Sequence, residues 1–123
     1  MLNLEIAQFG IVTSFNLVAF KAPLLWGGAV TYNSTKGDEL VQAMVGFTDS
    51  VEKNIYSSSI IYKTYLPSLS DSLWVAVYEN TEGEVAGPSF DEFLTIQPNI
   101  SSSLRLANIS DLTSELKQST GYR

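Results

Sequence analysis

Neither cysteine nor histidine occurs anywhere in the 123 residues. Their absence removes disulfides, thiolate nucleophiles and zinc sites of the usual Cys/His kind. A Ser-His-Asp triad cannot be assembled within the chain either. Basic residues are few: seven Lys and Arg stand against thirteen Asp and Glu, for a net charge of −6. Lys21, Lys36, Lys53, Lys63, Arg105, Lys117 and Arg123 are scattered, so the counterion release that drives nucleic-acid binding has no basic patch to work from. The carboxylates could hold a hard cation, but no segment has the spacing of an EF-hand loop. Also missing is an unbroken apolar run. Ile6 to Phe20 comes nearest, yet Gln8, Gly10, Thr13, Ser14 and Asn16 interrupt it and no basic residue precedes it. It reads as neither a membrane-spanning helix nor a secretory signal. Three N-glycosylation sequons, at Asn33, Asn99 and Asn108, would permit a secretory origin.

What is present fits one domain able to bury roughly two-thirds of its unfolded surface. Gly10 to Phe20 is rich in Ile, Val, Thr and Phe and is expected to form a strand, ended by Ala22-Pro23. Trp26 to Tyr32 is a second, in which Gly27-Gly28 offers a bulge or a close backbone approach. Asn33-Ser34-Thr35 then caps a helix from about Lys36 to Glu52, with Asp38 and Glu39 at its positive end. Leu40, Met44, Phe47 and Val51 form its buried stripe, and Gly46 is a point of close contact with the sheet. Tyr56 to Tyr65 and Ser72 to Glu79 are two further strands, joined by the turn-forming residues 66–71 and followed by an acidic loop, residues 80–84. Ser89 is expected to cap a short helix through Phe90, Phe93 and Leu94. Ser103 to Ala107 forms a short strand, and Ser110 caps a last helix, Asp111 to Lys117. The sum is an α+β fold: an antiparallel sheet with helices packed mainly on one face.

Both faces of that sheet are apolar. Leu73, Val75 and Val77 alternate with Trp74, Ala76 and Tyr78, and Ile60 and Tyr62 oppose Ile61 and Tyr65. A half-solvated antiparallel sheet should alternate apolar with polar. The helices can cover one face, so the second is expected to meet a ligand, another domain or another subunit.

The segment "FGIVTSFNLVAF" (residues 9–20), followed by "LWGGAVTY" (residues 25–32), resembles the fungal FAD-linked oxidoreductases of the berberine-bridge-enzyme-like group, in the vanillyl-alcohol-oxidase superfamily. The later capped helix, the Phe-x-x-Phe-Leu segment and "DLTSEL" match in kind. The resemblance implies a chain truncated to the junction between an FAD-binding domain, of which residues 1–20 are the remnant, and a substrate domain, residues 21–123. It places Phe9, Gly10, Ile11 and Val12 beside the FAD. It makes the sheet bearing Tyr62, Tyr65, Trp74 and Tyr78 the roof over flavin and substrate. The family's Gly-Gly-Gly-Asn run is here "LEIAQ" (residues 4–8), and glycines at such a turn let backbone amides approach a cofactor without Cβ clash. The implied partner is a small organic substrate oxidised through flavin, with weak or absent FAD binding by this chain alone and association with an FAD domain. The alternatives are a cofactor-free cyclase or isomerase domain working as a homodimer, and a non-catalytic remnant.

Overall fold

A computed structural model describes residues 13–18 and 24–116. Its central strand is β1 (Leu25–Tyr32), which pairs on one side with β3 (Asp71–Asn80). On the other side of β3 runs β2 (Ser57–Leu66), paired along all ten of its residues from Ser57↔Asn80 to Leu66↔Asp71. The far side of β1 is shared by two short strands, β4 (Ser101–Ser102) and β5 (Arg105–Ala107). Every pairing is antiparallel, in the order β2-β3-β1-β4 with β5 also on β1. Among the described residues the fold is therefore the expected α+β sheet.

Each element has a local cause. Asn33 Oδ1 accepts from the Thr35 backbone N–H at 3.1 Å and opens a 3-10 turn that runs into helix α1 (Gly37–Ser50). Asp38 and Glu39 occupy the first turn of that helix, where carboxylates meet the positive end of the helix dipole. Leu40, Ala43 and Phe47 are its buried residues, with Met44 packed at the margin. Val51 lies past the end of α1 in a 3-10 turn and is exposed, so it leaves the expected stripe and Ala43 joins it. Gly46 makes its close approach to the Glu92 carboxylate of helix α2 (Asp91–Leu94) and not to the sheet.

Three other expectations change. Ser89 caps nothing: Gly87-Pro88 starts a 3-10 turn, Pro88–Phe90, that leads into α2, because proline presets φ for a first turn. The last helix, α3 (Ile109–Glu115), starts earlier than Asp111, capped by Asn108 and not Ser110. Asn108 Oδ1 accepts from Asp111 N–H at 2.9 Å, as Asn at an N-cap readily does. Thr13 to Val18, the described part of the expected first strand, have no regular structure and are exposed. No described strand pairs with them, and a lone extended segment has no ladder to hold it. The rest of that strand lies outside the described residues.

The core fills one face of the sheet. Trp26, Val30 and Tyr32 from β1 and Ala76 and Tyr78 from β3 pack against Leu40, Ala43 and Phe47 of α1 and against Phe90, Phe93 and Ile96. Five aromatic contacts join Trp26, Phe47, Tyr78, Phe90 and Phe93, with ring centroids 5.0–6.1 Å apart. At the heart of this layer the hydroxyls of Tyr32 and Tyr78 meet at 3.3 Å, each satisfying the other where water is excluded. Asn80, also buried, accepts from the backbone N–H groups of Glu82 and Glu84 and donates to Ser57 Oγ, which shapes the acidic loop.

Candidate functional site

The opposite face of the same strands has a different fate. Alternation puts Ala29 and Thr31 of β1, Val75 and Val77 of β3, and Ile60 and Tyr62 of β2 on it. The register aligns them into two rows across the sheet. One runs Tyr62, Val75, Thr31, Ser101; the other runs Ile60, Val77, Ala29, ending at Ser103. Among the described residues, only one end of the face is covered. There α3 inserts Leu112 against Leu25 and Ala107, forming a small second core. The rest is open, with Ile60 63% and Tyr62 43% exposed.

Two hollows follow from that partial cover. Between α3 and the strands lies a cleft of about 130 Å³, bounded by Ala29, Val77, Glu79, Ile109 and Leu112 among others. Beside it a shallower groove of about 430 Å³ runs over Ala29, Thr31, Val75 and Tyr62, with Ser101 to Ser103 along one rim and Glu115 and Leu116 along another. Ala29, Glu115 and Leu116 belong to both, so the two form one depression.

Ser103 and Arg105 build the rim. The Ala29 N–H donates to Ser103 Oγ at 2.9 Å, and that hydroxyl donates to the Ala29 carbonyl at 3.1 Å. Here Gly27-Gly28 allows a close backbone approach and not a bulge, since the pairing with β4 and with β5 keeps one register on both sides. A Cβ on Gly28, whose φ is +148°, would sit 2.7 Å from the Ser103 carbonyl oxygen. The Arg105 guanidinium donates to Glu115 Oε2 at 2.6 Å and to the Ser103 carbonyl at 2.9 Å, tying α3 to the sheet edge. The neighbouring Ser103 side chain, and then the Arg105 guanidinium, hold the Glu115 carboxyl below its ordinary value of 4.5 against the opposing effect of burial. Glu115 is therefore ionised, and its charge is already matched.

The four aromatic residues assigned from sequence do not gather in one place. Tyr62 stands on the open face, in the groove. Trp74 and Tyr78 lie on the helix-covered face, Tyr78 only 1% exposed. Burial, then the hydrogen bond and charge of Tyr32, push the Tyr78 phenol far above its ordinary value; burial raises Tyr32 as well. Tyr65 shares the side of Trp74 by alternation but is exposed, near the strand's end. Phe9, Gly10, Ile11 and Val12 lie outside the described residues. Sequence reasoning missed Ala29, Thr31, Arg105, Glu115 and the serine rim. The run Ser101-Ser102-Ser103 just ahead of a strand was the one available sign of the rim.

The depression can do limited chemistry by itself. Its polar groups are the hydroxyls of Thr31, Tyr62 and the serine rim, the Glu115 carboxylate closed by Arg105, and the Glu79 carboxylate in the cleft. It can cover and orient a flat organic group and keep water from it. A flavin ring or a substrate over a flavin fits that description. A diphosphate does not, since the groove has no free cation or glycine-rich turn among the described residues.

Comparison with known proteins points to flavin enzymes. The chain is 33% identical over 118 residues to the FAD-dependent monooxygenase sdcF of Emericella nidulans. It is 31% identical over 116 residues to the FAD-dependent monooxygenase drtC of Aspergillus calidoustus. Its relatives are fungal flavin-linked oxidising enzymes. Each match takes in 94% of this chain but only 24% and 22% of the relative, so the chain spans about a quarter of the length of these curated proteins. A shorter match, 44% identical over 40 residues, joins it to the FAD-dependent monooxygenase prx3 of Penicillium roqueforti. No family model and no solved structure matches the chain.

Proposed function

We propose that this chain is the substrate-covering part of an FAD-linked oxidoreductase of the berberine-bridge-enzyme-like group, acting on a small organic molecule. The observation that carries the reading is the sheet with two apolar faces, one sealed by helices and one open over a shallow groove. Burying Ile60, Val75 and Val77 against a partner gains roughly 25 cal/mol for each Å² removed from water, so leaving them exposed is wasteful unless something covers them. Similarity to FAD-dependent monooxygenases along 94% of the chain supports a flavin-bearing cover for that face. The flavin, when bound, supplies the acceptor for hydride from a substrate carbon, with O2 as the usual final electron acceptor. This chain's residues do the rest: Val75 and Val77 exclude water, Thr31 and Tyr62 orient polar groups, and α3 closes one end.

The test separates covering from holding. Purified alone, the chain should be colourless after gel filtration. Mixed with the flavin-loaded FAD-binding portion of a relative such as sdcF, it should associate and change the flavin fluorescence. Val75→Asp should abolish both effects. A flavin spectrum that stays with the isolated chain, or association untouched by Val75→Asp, contradicts the proposal.

A further inference from the structure

The groove's own composition narrows what it receives, and this step rests on the open-face reading above. The row Tyr62, Val75, Thr31, Ser101 crosses four strands. At about 4.8 Å per strand spacing it is about 14 Å long. Its middle is apolar, while a phenol stands at one end and the Thr31 and Ser101 hydroxyls at the other. Among the described residues lining the groove, the sole ionisable acid or base besides Tyr62 is Glu115, and Arg105 occupies it at 2.6 Å. A charged ligand would be stripped of water against Val75 and find no free counter-charge among the described residues lining the groove itself, a costly exchange. An anion would in addition meet Glu79 in the adjoining cleft. We infer that the groove takes an uncharged, flat compound of two or three fused rings, with hydroxyl or keto groups at opposite ends of its long axis. Tyr62 is a specificity residue: its ring stacks on the compound and its hydroxyl bonds one of those polar ends.

A pair of probes that share a skeleton tests this. The isotope-labelled 123-residue chain is titrated with 2,6-dihydroxynaphthalene and separately with 6-hydroxy-2-naphthoate, and amide shifts are followed by NMR. The neutral diol should perturb residues around Thr31, Tyr62, Val75 and Ser101 to Ser103, and the carboxylate should bind at least tenfold more weakly. Tyr62→Ala should weaken diol binding about tenfold, and Tyr62→Phe by a smaller factor; the exposed position leaves the fold of both variants intact. Equal or tighter binding of the carboxylate overturns the inference. So does tighter binding of a cationic 6-amidino analogue, a diol footprint elsewhere, or no diol binding at all. No flavin enters this measurement, so its failure leaves the association test of the covering role standing, and failure of that test leaves this one standing.

Discussion

The two faces of the sheet are made by the same three long strands, residue by alternate residue, yet they have opposite environments. On one, Val30, Tyr32, Ala76 and Tyr78 are at most 2% exposed beneath α1 and the Phe90–Phe93 segment. On the other, Ile60 and Tyr62 stand open, and Val75 and Val77 are half-buried beside a groove. The first face is apolar because it is the core. The second is apolar too, and among the described residues the small Leu25, Ala107 and Leu112 core explains only one end of it. Composition alone could not tell these roles apart; the placement of the helices does.

Mutations should separate the faces by size of effect. Phe93→Ala empties a fully buried site 5.0 Å from the Tyr78 ring and 6.1 Å from that of Phe47. It should cost about 3–5 kcal/mol in urea unfolding. Alkali should come next. Tyr32 and Tyr78 are held neutral in the folded chain above the ordinary phenol value of 10.0. Stability is therefore complete below pH 10 and falls as pH rises through it, because the unfolded chain releases protons the folded chain retains. The slope should approach about 1.4 kcal/mol per pH unit for each tyrosine. Replacing both residues by Phe should flatten it. Tyr78→Phe alone should cost about 1 kcal/mol at neutral pH, and adding Tyr32→Phe should recover part of the loss, since no hydroxyl then lacks a partner.

The open face should respond in the reverse manner. Val75→Thr and Ile60→Thr should each change stability by no more than about 0.5 kcal/mol, while weakening association with a flavin-loaded partner. A large loss of stability would mean that this face is structural after all. The smallest effect belongs to the rim. Arg105→Ala should cost less than about 1 kcal/mol, as for other partly exposed ion pairs. Because the folded-state value of Glu115 is depressed, the pair's contribution is present above pH 4.5 and is lost as pH falls through that lower value. Unfolding curves of the two proteins should therefore converge in acid.

Much of this architecture was legible beforehand. Alternating apolar residues located β1, β2 and β3 to within one residue at each end, and Asn33 marked the entry to α1. Local caps were harder, because Ser89 and Ser110 each had a stronger rival nearby: Gly87-Pro88 for one and Asn108 for the other. Ser103 to Ala107 read as one strand, but the Ser103 side chain turns to Ala29 and the pairing splits into β4 and β5. Alternation within each strand separated Tyr62 from Tyr65 but could not relate one strand to the next. The register does, putting Tyr62 on the opposite face from Trp74 and Tyr78 and correcting the single roof expected for all four aromatics. Nor could alternation show which side α1 would choose, because that depends on contacts between residues distant in sequence. The pairing of Arg105 with Glu115, ten residues apart on different elements, left no pattern to read.

On the proposed reading the open face, and not the outer surface of α1, meets the flavin-bearing partner. Methyl NMR addresses it directly, because Ile60, Val75 and Val77 report on one surface and the exposed Val41 and Val45 of α1 on the other. On addition of the flavin-loaded FAD-binding portion of sdcF, the methyl signals of Ile60, Val75 and Val77 should shift while those of Val41 and Val45 stay in place. Shifts at Val41 and Val45 with Ile60, Val75 and Val77 unmoved would contradict it.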